Sequence, residues 1–330
     1  MEQHLRELVE AGDLNGLLRA VDVLCGHRDW ENLLDLAEAC EDAVERGKQL
    51  WPITAHIDYR IALEAPGEYA ADVLESDLGR FALGPLTEVA ASTHSWAELV
   101  PHIEASQTAA YVAQERVLRG EVIDDERAHP DVLHLPLRLE DWEPTYALAT
   151  YRSNVVEVSE PWDPREPMGA VEARPADVLD EPELVDGLLE LVQPWVAESN
   201  GAARAVVVEG DAIGAASNLT FGTLGVGALG VEEALQRLAW AAASGGAHGR
   251  RRGAAFGRFM AWYTVCLLGD IRWPGTPDQV RDRARQLRWY RWDEGEVEEG
   301  WVLRIAVEEP TDGWSVALVA TDLLEDEEEA

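Results

Sequence analysis

Lysine is nearly missing from this chain. Of 27 basic residues in 330, only Lys48 is a lysine and the others are arginines. A phosphate-binding P-loop needs its lysine inside GxxxxGK[ST]. Lys48 lies instead in ERGKQLWP, with no glycine five residues before Gly47, so Walker-type nucleotide hydrolysis is excluded. A Schiff-base mechanism would rest on that same residue, which reads as a lysine at a helix end. Arginine in place of lysine, with abundant alanine and glycine, points to GC-rich coding rather than to mechanism.

Cysteine is also scarce. Cys25, Cys40 and Cys266 lie far apart with no CxxC pair, which is neither a disulfide framework nor a zinc site. They read as small buried residues in a reducing compartment. No GxSxG is present, and the longest apolar run, near FMAWYTVCLLG, is far shorter than the roughly 20 residues of a membrane span. The start, MEQHLRELVEAG, has no signal-peptide core. A cytoplasmic protein with no membrane association is the expectation.

What the chain has in excess is acid, for a formal charge of −36. Such a charge favours solubility and repels phosphates, so nucleic acid is not an expected partner. A protein partner, particularly a basic one, fits better.

The composition is that of a soluble globular protein, and the periodicity changes along it. Up to about residue 125, apolar residues recur at helical spacing, as in Leu17, Leu18, Val21 and Leu24 or Leu33, Leu34, Leu36, Ala37 and Cys40. Breaks near Gly12, Gly26, Pro52 and Pro66 suggest short antiparallel helix pairs with a solenoid-like character. HRDWENLLDL and HSWAELVPHI echo each other, their tryptophans 66 residues apart, about two units of a 33-residue helical repeat. Residues 126–182 hold eight of the sixteen prolines and read as a boundary region, with a strand in ATYRSNVVEV. Residues 183–321 mix both element types. EPELVDGLLELVQPWV, VEEALQRLAWAAAS, Gly253 to Leu268 and TPDQVRDRARQL read as helices, the last with a capping box from Thr276 to Gln279. ARAVVVEGDAIGAAS reads as a hairpin, and LRWYRW, GWVLRIAV and GWSVALVA as strands. Residues 322–330 form an acidic tail. The expected fold is α+β, mainly α, with N-terminal helix pairs followed by a smaller mixed domain.

One stretch reverses the charge pattern. SGGAHGRRRGAAFGRF, residues 244 to 259, carries four arginines and no carboxylate, within a segment from 234 to 269 that has no acid at all. Candidate anion or ligand contacts are Gly225, Gly227, Gly230, His248, Arg250, Arg251, Arg252, Gly253 and Arg258. Gly225, Gly227 and Gly230 satisfy GxGxxG ahead of a helix, a pattern that lets a backbone approach a pyrophosphate. Arg250 to Ala255 fit [QR]xxGx[GA]. With the ARAVVVEGDAIGAAS segment, over about 60 residues, this resembles the acyl-CoA loop of the GNAT N-acetyltransferases. The resemblance implies backbone amides at a helix start holding the CoA pyrophosphate. Against it, a helix rather than a strand precedes the loop, and DIRWPGTPDQV stands where a strand belongs.

Electrostatics alone raises a further expectation. Arginines just before a helix sit at its positive end, where something negative must compensate. In so acidic a chain, the protein's own carboxylates are the first choice, and Gly253 and Gly257 are spaced for close helix contact. His129 with His134, His94 with His102, and His56 with Asp58 lack metal-ligand or facing geometry, so no metal is expected. The expected role is a non-catalytic interaction or scaffold protein without a cofactor. The alternatives are an acyl-CoA-dependent N-acetyltransferase-like enzyme, or a nucleotide- or anion-binding regulator using the Arg250–Gly253 loop.

Overall fold

The computed structural model describes residues 3–75, 82–162, 168–295 and 300–323. Pro164, Pro167 and the tail beyond Leu323 lie outside the described residues. The fold is α+β and mainly helical, with the helices first and the main sheet last. The chain divides into two compact units. One comprises Met1–Arg138 with Leu148–Val158, the other Leu139–Ala147 with Ser159–Ala330. Residues 126–182 therefore contribute to both.

The first unit begins with α1 (Gln3–Ala11), α2 (Leu14–His27), α3 (Trp30–Glu45) and α4 (Trp51–Glu64). Asp13 caps α2 by accepting from Gly16 N–H at 2.9 Å, and Asp29 caps α3 through Asn32. Gly26 does not interrupt α2, which ends one residue later with Arg28 in the left-handed region. Pro52 likewise opens α4 instead of breaking it, since a first-turn proline loses no helical bond. Lys48 is fixed at the end of α1, donating to the carbonyls of Val9 and Glu10 at 3.1 and 2.5 Å and to the Glu10 carboxylate at 2.9 Å. A cation is well placed there, where a helix presents unpaired carbonyls.

Short helices α5 (Gly67–Asp72), α6 (Leu86–Thr93), α7 (Trp96–Leu99), α8 (Ser106–Leu118) and α9 (Pro130–Leu133) follow. Helix α3 packs on α4, α4 on α6 and α6 on α8. Trp30 opens the 16-residue α3 and Trp96 the four-residue α7, so the two echoed stretches share a start and not a length. The ATYRSNVVEV segment forms the hairpin of β1 (Thr150–Arg152) and β2 (Val155–Glu157). Tyr151 on β1 is buried and donates to the Glu88 carboxylate at 2.7 Å.

The second unit is built on a six-stranded antiparallel sheet. Its strands are β3 (Gly169–Glu172), β4 (Ala202–Glu209), β5 (Thr223–Leu229), β6 (Arg288–Asp293), β7 (Gly300–Glu309) and β8 (Trp314–Leu323), in the order β3-β5-β6-β7-β8-β4. Its helices are α10 (Pro182–Glu190), α11 (Gln193–Ala197), α12 (Ala212–Ser217), α13 (Val231–Ala243), α14 (Ala254–Leu268) and α15 (Pro277–Gln286).

The hairpin expected over 203–217 is a strand followed by a helix. Asp211 caps α12 by accepting from Gly214 N–H at 2.8 Å, and β4 pairs with the distant β8. Alanine-rich sequence behind an Asp N-cap favours the helix. Helix α12 packs on Val208, Leu224, Trp292, Ala306 and Ala317 to form the core on one sheet face. Elsewhere α13 packs on α14, and α10 on β4 and α14. Gly257 permits the close helix pair, because a Cβ there would overlap the Ala239 carbonyl. The Thr276–Gln279 capping box is present, with Thr276 N–H donating to Gln279 Oε1 at 2.9 Å. Asp322 and Leu323, expected as the start of the tail, belong to β8 instead, and Asp322 is fully buried.

Candidate functional site: an arginine-rich loop and a buried ion pair

The ten residues between α13 and α14 form a loop tied to its surroundings by hydrogen bonds. Arg252 N–H donates to the last carbonyl of α13, Ala243 O, at 2.7 Å. His248 N–H donates to Ser199 Oγ at 2.9 Å, and Ala247 N–H to the carboxylate of Asp322. Gly246 sits at φ 80° against that carboxylate, and a Cβ on Gly245 would overlap the Arg250 backbone. These glycines serve close backbone packing, which is what leaves the loop room to fold over the end of β8.

The arginines reach different partners. Arg252 forms an ion pair with Glu198 at 2.6 Å, about a third exposed on both sides. Arg250 is exposed and Arg251 half-buried, and both have interactions of their own. Arg258, one turn into α14, has no exposure at all. Its guanidinium meets Glu143 in a two-point contact, Nε to Oε2 at 2.8 Å and Nη2 to Oε1 at 2.6 Å. Trp262 Nε1 and Tyr146 O–H each donate to Glu143 Oε2 at 2.9 Å, and Glu140 N–H donates to Oε1 at 3.0 Å. Trp142 tilts against Trp262 at 5.2 Å between centroids.

Both oxygens of Glu143 are thus saturated with donors, the condition under which a buried charge is tolerated. Burial alone would raise its carboxyl. The Arg258 charge, with the hydrogen bonds from Arg258, Glu140 and Trp262, holds it below the usual carboxylate range. Burial, reinforced by the adjacent Glu143 charge, pushes the Tyr146 phenol far up, so it remains a donor.

The candidate residues do not form one constellation. His248, Arg250, Arg251, Arg252 and Gly253 share the loop, whereas Arg258 belongs to the buried cluster. Gly225 and Gly227 lie within β5, paired with Asp293 and Arg291 of β6. Gly230 caps α13, its N–H donating to Glu233 Oε2 at 2.7 Å. The first two glycines of the dinucleotide pattern are thus in an antiparallel strand, and the Glu233 carboxylate occupies the helix start that a pyrophosphate would need. The GNAT comparison loses its hairpin to α12, and helix α13 precedes the loop. What remains of the acyl-CoA-loop pattern is Gly253, at φ 93°, opening the 15-residue α14 with no acid in its first turn.

Among the described residues, no group of three or more His, Cys, Asp or Glu side chains is placed to hold a metal. No described helix is long and apolar enough to cross a membrane. Sequence reasoning missed Glu143 as the partner of Arg258, and Tyr146 and Trp262 as further donors to Glu143. The one signal that pointed their way was the shortage of compensating acid within 234–269.

Fold and loop together define a mainly helical α+β protein in whose arginine-rich segment Arg252 pairs with Glu198 and Arg258 with Glu143. The chain belongs to the family of unknown function DUF6183, whose sequence profile matches residues 15–323. No curated protein and no solved structure matches it.

Proposed function

We propose that this is a non-catalytic interaction or scaffold protein of the cytoplasm, with the arginine-rich segment as a structural centre. The observation that carries this is the Arg258–Glu143 pair, which consumes the most buried arginine internally; Arg252–Glu198 repeats the pattern at the surface. The fixing of Lys48 on the end of α1 supports a structural role for the one lysine as well. The helical unit supplies surface for a partner. Leu14 and Leu18, one turn apart on α2, are 41% and 38% exposed, and the net charge of −36 suits a basic partner.

A second function is favoured by one observation. Arg250 to Arg252 directly precede Gly253 and the start of α14, an arrangement suited to an anion such as CoA or a nucleotide. Thermal unfolding against CoA, acetyl-CoA, NADPH, ATP, GTP and phosphate separates the two. A ligand at a hundredfold excess over Kd adds about 2.7 kcal/mol. The scaffold role predicts no shift with any ligand, and a lower midpoint for Arg250→Ala/Arg251→Ala/Arg252→Ala. A shift with one ligand that the triple variant loses would overturn it.

A further inference from the structure

A cleft of about 540 Å³ lies in the second unit, away from the arginine loop, where the C-terminal end of α14 meets the start of α10 and the turn between β7 and β8. Its floor is apolar. Val207 and Leu268 are buried, and Leu184, Ile271 and Trp314 are half-buried along its walls. Its volume is that of small-molecule sites, and its shape is concave and half-enclosed.

Charge on the rim is lopsided. Glu181, Glu183, Asp270 and Asp312 are exposed at the cleft and, among the described residues, none of them takes part in an ion pair. Two arginines face them. Arg283 is spoken for, since its Nη1 donates to the fully buried Glu309 at 3.0 Å and to Gln286 at 3.2 Å. Arg272 is exposed and balances one carboxylate. The C-terminus of α14 adds partial negative charge, and the positive start of α10 is more than offset by Glu181 and Glu183. An apolar floor under a net negative rim suits a ligand with an apolar body and a cationic head.

We infer that this cleft is a binding site for a small organic cation, an amine or guanidine carried on an apolar or aromatic body. The body rests on Val207, Leu268 and Trp314, and the head lies among Asp270, Asp312 and the two glutamates. The site stands apart from the scaffold role and does not depend on it.

Isothermal titration of the intact protein with 2-phenylethylamine tests this, with 3-phenylpropionate and phenylalanine as matched anionic and zwitterionic probes. The expected result is saturable one-to-one binding of the amine and weaker or no binding of the other two. Leu184→Trp, which fills the cleft, should abolish it. Asp270→Asn/Asp312→Asn should weaken it by about fivefold, the worth of two exposed charge contacts. Both substituted carboxylates are at the surface, so this variant folds even if Leu184→Trp does not. No saturable binding of the amine, equal or tighter binding of either carboxylate probe, or an affinity unchanged in Asp270→Asn/Asp312→Asn would each overturn the site.

Discussion

Arg258 and Glu143 are 115 residues apart in the chain and 2.6 Å apart in space, and neither side chain is exposed to any degree. Removing one partner leaves the other charged and buried. Arg258→Met or Glu143→Leu alone should each cost about 3–5 kcal/mol, whereas the double variant should recover much of that loss. Urea unfolding of the four proteins closes the cycle. Single-variant losses that simply add in the double would show the two groups to be energetically independent.

Acid should weaken the protein through two carboxylates. Burial raises Glu143 and Glu309 intrinsically, but their donors outweigh it and hold both below the ordinary 4.5. For Glu309 these are Asp312 N–H, Arg283 and Thr311 N–H. The unfolded chain binds these protons more readily than the folded one. The stabilisation is therefore complete above pH 4.5 and is lost as pH falls through the folded values. Stability measured from pH 7 down to 3 should fall less steeply for Glu143→Leu/Arg258→Met than for the native chain. Superimposable slopes would remove Glu143 as a source of the acid sensitivity.

Gly246→Ala should lower the melting temperature. Its φ of 80° disfavours any side chain, and a Cβ would overlap the buried Asp322 carboxylate. Gly12→Ala is the control, with φ at 67° and nothing within 4 Å of its added Cβ. The control carries only the backbone cost of about 1 kcal/mol, and Gly246→Ala should exceed it by a further ~1–2 kcal/mol. Equal losses would show that the loop yields to the added methyl.

The thiols should be inert. Burial pushes Cys25 up to about 11 and Cys40 up to about 12, and raises Cys266 as well. Reaction needs the thiolate, which is sparse at pH 8 for all three. A disulfide reagent should titrate none of them in the native protein and three after unfolding. Rapid native reaction of any one would mean its site opens to solvent.

Local chemistry was the legible part of this fold. The Thr276–Gln279 capping box and the GlyTrp-led strands β7 and β8 depend on residues a few positions apart, and each lies where its pattern puts it. The alanine-rich 212–217 misled because short apolar alternation fits a strand or a helix equally well, and Asp211 as a cap decides it. Of the loop, the sequence displayed its charge and its glycines but none of its partners. Nothing near Glu143 in the chain distinguishes it from the other acids; only the fold, by bringing Trp262 and Arg258 to it, does. Asp322 was equally hidden, since an acid at the head of an acidic run looks like tail and turns out to be buried beneath Gly246 and Ala247.

The route of the chain between its two units has a practical outcome. It passes from the first to the second at 138–139, returns at 147–148 and crosses again at 158–159. The nine residues of the first visit carry Trp142, Glu143 and Tyr146. A fragment cut at 159, the obvious place to isolate the sheet, would therefore lack the carboxylate that neutralises Arg258. Dissection of this protein into halves would strand a guanidinium in the interior of one of them, and during synthesis that interior must wait for α14 to close on a segment made more than a hundred residues before it.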